Sequence, residues 1–334
     1  MNIQDIFNLG VKKAIAADPR GEKGVKKYLA NLKKDFDELP ELAKAHYHRE
    51  RLTNPYVDSG ILVDDGVKNV KRVIAGIDLT EPEVLMANEL NRQGRTVDLL
   101  IAHHPVGKTR AHLAEVMSMG VDVFTSYGVP VHLAEKTMED RQREIVRWTH
   151  AANHNKPVDV ARILGVNFIV THTITDNLVD EFMRNYLAEK KPETIKDIID
   201  ALLELPEYQY ARDHGYGPTI FTGSPRHKVG KYLLEMTGGT NPSSKVYEEF
   251  SRAGLSTMVS MHMPDDSFKV ANQHMLNVVV AGHMPSDSLG MNLFLDELEK
   301  QGVEVIPAGG LIRVSRVKKT TKVNAVVKKS GKRK

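Results

Sequence analysis

The sequence predicts an α/β fold in which parallel or mixed sheets are flanked by helices. Two observations support this class. From residue 71 onward, short apolar runs alternate with longer segments of helical periodicity, and this alternation is typical of sheets with parallel strands. Several of the apolar runs also end in histidine or aspartate, which is where an open parallel sheet presents its ligand sites.

The predicted elements follow one another in a regular order. Strands are expected at 71–78, 96–105, within 121–135, and at 166–173, 231–240, 255–262, 276–283 and 303–316. Helices are expected at 80–94, 110–120, 136–153, through the charged region that ends near 205, and at 243–254, 266–274 and 287–302. The helix after the first strand has the clearest start signal, because Thr80 and Glu83 can form a capping box.

The two ends of the chain differ from this central region. Residues 1–66 are highly charged and carry a thin periodic stripe of Leu, Phe and Tyr, which predicts a helical N-terminal extension. From Arg313 to the last residue the sequence has ten Lys/Arg and no Asp/Glu. We expect residues 317–334 to be a disordered, solvated basic tail, and any contact of this tail with nucleic acid to be weak and non-specific.

Composition excludes several classes of site. The chain has no cysteine, which excludes disulfides, thiolate metal ligands and cysteine nucleophiles. It has no apolar run long enough to cross a membrane, and its first residues lack the apolar core of a signal peptide. We therefore expect a cytoplasmic location, no contact with membranes, and a metal site, if one exists, that is built from histidines and carboxylates.

Histidine stands at the end of five predicted strands. These residues are His103 with His104, His132, His172, His262 and His283. Because the carboxyl ends of parallel strands meet along one edge of a sheet, we expect several of these imidazoles to form a site there.

Two segments indicate metal ligation most directly. Pro105 favours an extended conformation at His104, so the side chains of His103 and His104 diverge and could serve two ions, one each. The alternative is an irregular corner in which one imidazole caps a backbone group. His283 and Asp287 are four residues apart across a predicted strand-to-helix turn, and a carboxylate can bridge two divalent ions. The alternative for Asp287 is a favourable interaction with the helix dipole.

A further carboxylate should complete such a site, and several are placed to do so. The candidates are Asp78, Glu135, Glu139, Asp140 and Asp176. Asp176 follows His172 at the same spacing as Asp287 follows His283, but spacing alone does not choose among the five.

Taken in order, three of these segments resemble the Nif-three-like family, whose members are often labelled GTP cyclohydrolase I type 2 homologues. They are the strand that ends at Asp78, the His-His-Pro segment 103–105, and His283 with a carboxylate four residues later. The resemblance extends over about residues 68–316. The helical N-terminus and the basic tail lie outside it.

The resemblance implies a Nif-three-like two-domain architecture. In it, a split α/β domain at 67–165 plus 278–316 carries the metal site and surrounds an inserted α/β domain at 166–277. It also implies two divalent metal ions, for which histidine and carboxylate ligands allow Zn, Fe, Mn or Ni, and a homo-oligomer, in the family commonly a ring-shaped hexamer. Carried over onto this sequence, the ligands are His103, His104, His283 and Asp287.

The chain departs from the family pattern at two places. Asp287 stands where the family usually has the longer glutamate. The family also has a His-Thr-Asn-Leu-Asp segment that supplies a ligand aspartate, and we match it to "HLAEKTMEDR", residues 132–141. In this alignment Glu135 replaces the histidine, and Asp140, which we prefer over Glu139, replaces the aspartate.

These features predict a metal-dependent hydrolase that acts on a nucleotide or a related phosphorylated or heterocyclic small molecule. Two bound ions would lower the pKa of a bridging water, and His172 or His132 would move protons. The pair of His172 and Asp176 is an addition that we expect to face the same cavity. The alternative is a non-catalytic metal carrier, or a ring-shaped scaffold that touches nucleic acid through its tails; turnover of nucleotides would distinguish the two hypotheses.

Overall fold

The structure, a computed structural model, describes residues 1–318 of the 334-residue chain. The basic tail expected at 317–334 therefore lies, from residue 319 onward, outside the described residues. Within residues 1–318 the strands form a five-stranded and a four-stranded sheet, both mixed and both flanked by helices. The predicted fold class is confirmed. No helix in this range is long and apolar enough to cross a lipid bilayer.

Strands and helices alternate through most of the chain. The strands are β1 (Ser59–Val63), β2 (Arg72–Gly76), β3 (Leu99–Ala102), β4 (Phe168–Thr171), β5 (Thr219–Thr222), β6 (Tyr232–Glu235), β7 (Thr257–Ser260), β8 (Asn277–Val280) and β9 (Glu304–Ala308). The helices are α1 (Ile3–Ala17), α2 (Gly21–Glu38), α3 (Glu41–Ala45), α4 (Glu81–Arg92), α5 (Lys108–Ala111), α6 (Leu113–Val116), α7 (Met119–Ser126), α8 (Val131–His150), α9 (Lys156–Leu164), α10 (His172–Lys190), α11 (Ile195–Leu203), α12 (Pro206–Asp213), α13 (Val246–Arg252), α14 (Asp265–Gln273) and α15 (His283–Glu299). A short 3₁₀ helix spans Arg49–Leu52.

The first sheet has the strand order β1-β4-β3-β2-β9. Strands β4, β3, β2 and β9 are parallel, and β1 closes one edge antiparallel to β4. The central strands are buried on both faces: Val73 and Ile101 belong to one core cluster, whereas Ile74 and Leu100 belong to another. Burial on both faces explains why these strands read as continuous apolar runs in the sequence.

The second sheet has the strand order β5-β8-β7-β6. Strands β6, β7 and β8 are parallel, and β5 pairs antiparallel with β8. Met258 and Val278 belong to the core cluster on one face, and Val259 and Val279 belong to the cluster on the other. The second sheet is therefore also covered on both sides.

Helices α10 and α15 lie between the two sheets. Leu178 of α10 and Met291 of α15 belong to the core of the first sheet, whereas Val179 and Leu289 belong to that of the second. Helix α10 begins directly after β4, and α15 begins three residues after β8. The first turns of both helices are thus held at the carboxyl ends of strands, one from each sheet.

The strand expected within 121–135 is wrong, because this stretch is helical. Helix α7 and the start of α8 replace it. The alternating residues Val129, Pro130 and Val131 suggested a strand, but Pro130 stands just before the first residue of α8, where proline is well tolerated. The buried residues of α8 include Ala134 and Met138, whose spacing of four is that of one helix face.

The structure also moves three expected boundaries. Strand β1 lies inside the stretch 1–66 that was expected to be helical. Helix α15 begins at His283 rather than near Asp287, with Pro285 in its first turn. Strand β4, placed by the sequence in the inserted domain at 166–277, pairs with β1 and β3 of the first sheet, whereas β8 belongs to the second sheet.

Candidate metal centre

Three chain segments bring imidazoles and carboxylates together between the two sheets. His103 and His104 directly follow β3, His172 and Asp176 lie in the first turns of α10, and His283 and Asp287 lie in the first turns of α15. The ligand-type atoms form two overlapping groups: His103, His104 and Asp287, and His103, His172 and Asp176. Within each group these atoms lie within 4.8 Å of one another.

Asp287 is the centre of this arrangement. Its carboxylate oxygen Oδ2 lies 3.3 Å from Nε2 of His104 and 3.2 Å from Nε2 of His283, and its Oδ1 lies 3.5 Å from Nε2 of His103. The side chain is 1% exposed. Within residues 1–318, neither carboxylate oxygen has a hydrogen-bond partner, so a buried carboxylate faces three imidazole nitrogens without a hydrogen bond that satisfies it.

The Nδ1 atom of His103, which does not face Asp287, determines how this ring is oriented and protonated. Its Nδ1 lies 2.8 Å from the hydroxyl oxygen of Thr175. That hydroxyl donates its own hydrogen to the backbone oxygen of Thr171, 2.7 Å away, so it must accept from His103 Nδ1–H. The Nε2 lone pair of neutral His103 is therefore directed into the cluster, as metal ligation requires.

Two more rings are held in the same way by carboxylates. His104 Nδ1 lies 2.8 Å from Asp78 Oδ1, and His172 Nδ1 lies 2.8 Å from Asp58 Oδ2. An ionised carboxylate only accepts hydrogen bonds, so both imidazoles donate through Nδ1 and turn Nε2 inward. A carboxylate behind a histidine is the usual outer support of a metal-ligating imidazole.

Asp176 connects the two groups. Its Oδ1 lies 3.5 Å from Nε2 of His103, and its Oδ2 lies 4.0 Å from Nε2 of His172. Burial raises the pKa of Asp176 well above its usual value, and the nearby charge of Asp287 adds to this effect against the opposing influence of His172. A cation between these groups would reverse the balance, since it favours the ionised carboxylate.

The pKa values of the histidines differ because their surroundings differ. Burial lowers the pKa of His103 and of His283 to about 4. Burial also disfavours the charged form of His104, but the contacts with Asp287 and Asp78 outweigh it and raise the pKa of His104 to about 10. Burial opposes ionisation of Asp287 as well, yet the three imidazoles hold its pKa well below its usual range.

The residues of the cluster fit bound metal. Two ligands of one Zn²⁺, each bound at about 2.0–2.1 Å in tetrahedral geometry, lie about 3.3 Å apart. The observed separations between Asp287 Oδ2 and the Nε2 atoms of His104 and His283 are 3.3 and 3.2 Å. The unpartnered oxygens of Asp287 and the inward Nε2 atoms are what such an ion would bind, and the donors are those that Zn, Fe, Mn and Ni accept.

Three residues predicted for the site lie elsewhere. His132, Glu135 and Asp140 are on α8, where His132 and Glu135 are exposed. Asp140 pairs with Lys136 and Lys245, whose charges lower the pKa of this carboxyl. The structure thus explains Asp140 as a surface ion pair, and it brings neither these residues nor the neighbouring Glu139 into the two ligand groups.

The segment that does reach the site is "HTITD", residues 172–176. It keeps the histidine, threonine and aspartate of the His-Thr-Asn-Leu-Asp segment that the family resemblance includes. The match to 132–141 is wrong, because that stretch lies within α8, whereas 172–176 directly follows a strand, β4. The pair His172 and Asp176 is part of the centre and not an addition to it.

Two supporting residues were missed in the sequence. Asp58 is fully buried and also accepts a hydrogen bond from Thr173, at 2.6 Å. It precedes β1, in a region interpreted as helical, so its position at a strand was not recognised. Thr175 carries no chemical signal of its own, although its place in "HTITD" was available.

The cluster opens into a cleft of about 240 Å³. The open side of the metal centre contributes His104 and His283, whose side chains are 24% and 38% exposed. His262, at the end of β7, lies beside His283 with 4.5 Å between ring centroids. The remaining lining residues are Asp78, Pro105, Arg110, Leu113, Trp148, His172, Gly239 and Thr240.

Solved structures of known proteins are similar to this chain to different extents. A NIF3 superfamily protein from Sphaerobacter thermophilus is 27% identical, with a TM-score of 0.67, over 76% of this chain and 92% of that one. Reduced HcgD from Methanocaldococcus jannaschii is 14% identical, with a TM-score of 0.48, over 75% of this chain and 88% of that one. TTHA1606 from Thermus thermophilus is 15% identical, with a TM-score of 0.43, over 84% of this chain and 99% of that one.

No protein-family model and no curated protein matches the sequence. The similarity to the Sphaerobacter protein covers three quarters of the chain, as the ordered segments from Asp78 to Asp287 led us to expect. The resemblance to the Nif-three-like family is thus confirmed, and this chain has the fold of the NIF3 superfamily.

Proposed function

We propose that the centre holds two divalent metal ions and that the protein is a metal-dependent hydrolase of a nucleotide or a related phosphorylated or heterocyclic substrate. The observation that carries the metal proposal is Asp287. It is buried, both of its oxygens lack hydrogen-bond partners within residues 1–318, and they face three imidazole nitrogens. A buried, ionised and unpaired carboxylate is costly unless a cation binds it.

The two oxygens of Asp287 face two different sets of ligand-type atoms, which supports two ions rather than one. Oδ2 faces His104 and His283, whereas Oδ1 faces His103, which in turn faces Asp176. One ion would be held by His104, His283 and Asp287, and the other by His103, His172, Asp176 and Asp287. The carboxylate of Asp287 would bridge them.

Held by these residues, the ions would lower the pKa of a water and polarise the bond to be attacked. The protein orients the ligands through Thr175, Asp78 and Asp58, which hold the Nδ1 atoms of three histidines. We assign proton acceptance to His262 Nε2 or Nδ1, because burial lowers the pKa of His262 and its neutral ring lines the cleft beside His283. His132, which the sequence suggested for proton transfer, is exposed on α8 and is not among the residues that line the cleft.

The nucleotide substrate is supported by the family resemblance and not by a purine-specific motif. The test is to load the protein with Zn, Mn, Fe or Ni and to assay nucleotides and phosphoesters for hydrolysis. We expect His104→Ala and Asp287→Ala to abolish turnover with folding intact, and Asp140→Ala, a surface control, to retain it. Full activity in the two ligand variants would exclude this centre as the catalytic site.

A further inference from the structure

The cleft beside the metal centre has a second wall that the metal ligands do not explain. Besides His104 and His283, the cleft is lined by Arg110 of α5 and Trp148 of α8, and these two residues form what we call the second wall. This second wall is therefore placed to touch a molecule whose reacting bond lies at the ions.

Trp148 is the single tryptophan of the chain, and it does not serve the core. Its side chain is 56% exposed. The buried face of α8 is formed by other residues, Ala134, Met138, Ile145 and Thr149. An exposed indole that lines a cleft offers a flat apolar surface on which a planar ring can stack.

Arg110 lies against this indole with an unneutralised charge. Its guanidinium carbon is 5.0 Å from the centroid of the Trp148 ring. Within residues 1–318 its guanidinium forms no ion pair with a carboxylate, whereas Arg51 pairs with Glu115 and Arg143 on α8 pairs with Glu139. A guanidinium stacked on an aromatic ring keeps its N–H edge free for a bidentate contact with phosphate or carboxylate.

We propose that Arg110 and Trp148 form the recognition wall for a planar heterocycle that carries a phosphate, that is, a ligand of the nucleotide class. The indole stacks on the heterocycle, and the guanidinium pairs with the phosphate, so that the ligand is held against the open face of His104 and His283. This inference rests on the proposed function for the direction in which the ligand points, but binding at the wall does not depend on turnover.

The test uses the full-length, zinc-loaded protein and the emission of its single tryptophan. GMP and AMP are titrated, with guanosine and inorganic phosphate as partial ligands, and we expect saturable quenching by at least one nucleotide. Arg110→Gln should weaken nucleotide binding by about 10- to 100-fold and leave the weaker guanosine binding unchanged. Trp148→Leu, followed by calorimetry, should weaken both the nucleotide and guanosine by about 5- to 100-fold.

The matched control is Arg143→Gln, which removes a guanidinium from α8 that is paired with Glu139 and does not line the cleft. Thermal unfolding verifies that all variants are folded. If neither GMP nor AMP quenches the emission, the proposal is overturned. Equal nucleotide affinity in Arg110→Gln and Arg143→Gln would overturn it as well. If nucleotide binding depends on Arg110 but no hydrolysis is detected, the proposed hydrolase activity is refuted and the recognition wall is supported. Hydrolysis with an unchanged KM in both Arg110→Gln and Trp148→Leu would refute the recognition wall and support the hydrolase.

Discussion

The Nε2 atoms of His104 and His283 lie 3.3 Å apart, although 179 residues separate them in the sequence. Asp78 holds the Nδ1 atom of His104, and both Nε2 atoms lie beside Oδ2 of Asp287. Two imidazole lone pairs at this distance repel each other unless a positive charge lies between them. Contacts with Asp287 and Asp78 outweigh burial and raise the pKa of His104 to about 10, whereas burial lowers the pKa of His283 to about 4, so in the metal-free protein this charge is a proton on His104. A metal ion would take the place of that proton.

Removal of the charge of Asp287 should weaken the binding of both ions. In Asp287→Asn the side chain keeps its size but loses its charge, so we expect the affinity for zinc to fall about 100-fold or more. Competition with a chromophoric chelator measures the change. Asp140→Asn, which alters a carboxylate paired with surface lysines, should bind zinc as the unaltered protein does. Equal losses in both variants would speak against a specific role for Asp287.

Asp58, which holds the Nδ1 atom of His172, should affect the affinity for only one of the two ions. Asp58→Asn removes the charge that accepts from His172 Nδ1, and outer carboxylates of this kind contribute about 10- to 100-fold in metal affinity. We expect one of the two binding steps, that of the ion held by His172, to shift by this factor and the other to stay. The control is Asp65→Asn, at an exposed aspartate just after β1. An unchanged isotherm in Asp58→Asn would mean that His172 is not a ligand.

Metal binding should displace a proton from the centre. The pKa of His104 is raised from about 6.5 to about 10, so this ring is protonated at pH 8, whereas His103 and His283 are already neutral. Calorimetry at pH 8 in buffers of different ionisation enthalpy should show release of at least one proton, because Asp176 and His172, whose pKa values are also raised, can lose further protons. Affinity should rise about tenfold or more per pH unit below 10. Release of no proton would contradict this account of His104.

The same raised pKa affects stability before any metal binds. Protonated His104 stabilises the metal-free fold fully below about pH 6.5, and this contribution is lost as the pH rises towards 10. Thermal unfolding of the metal-free protein between these pH values should show the decline. In His104→Gln the decline should be smaller than in the unaltered chain; an identical decline would assign the effect to other groups.

Close packing of α10 against α15 should be needed for the centre. A Cβ atom on Gly290 would lie 2.4 Å from the backbone oxygen of Thr175, the residue that orients His103. Gly290→Ala should therefore force the helices apart, lower stability by about 1–3 kcal/mol and weaken metal binding. Lys300→Ala, at the exposed end of the same helix, should change neither stability nor affinity. Unaltered zinc affinity in Gly290→Ala would show that the centre tolerates this displacement.

Much of the centre could be predicted from the sequence because strand exits are local signals. His103, His104, His172, His262 and His283 all follow buried strands, and the structure places these five side chains around two cavities that share His172, His262 and His283. An apolar run that ends at a polar residue is visible without knowledge of the fold.

The remaining ligands could not be chosen from the sequence because several carboxylates had similar spacing. By spacing alone Glu135 and Asp140 are equivalent to Asp176. They differ from it because they lie on α8, outside the buried face of that helix. Asp58 supports His172 across 114 residues of sequence, a contact that no local pattern encodes. The hexameric ring and the contact of the basic tail with nucleic acid stay predictions.

The most direct test of two ions bridged by Asp287 is anomalous diffraction from crystals of the zinc-loaded protein, with data on both sides of the zinc edge. We predict two peaks at this centre, one beside the Nε2 atoms of His104 and His283 and one beside His103 and Asp176, on either side of the Asp287 carboxylate. Peaks only at surface carboxylates such as Asp140, or no peak beside Asp287 at saturating zinc, would contradict the account.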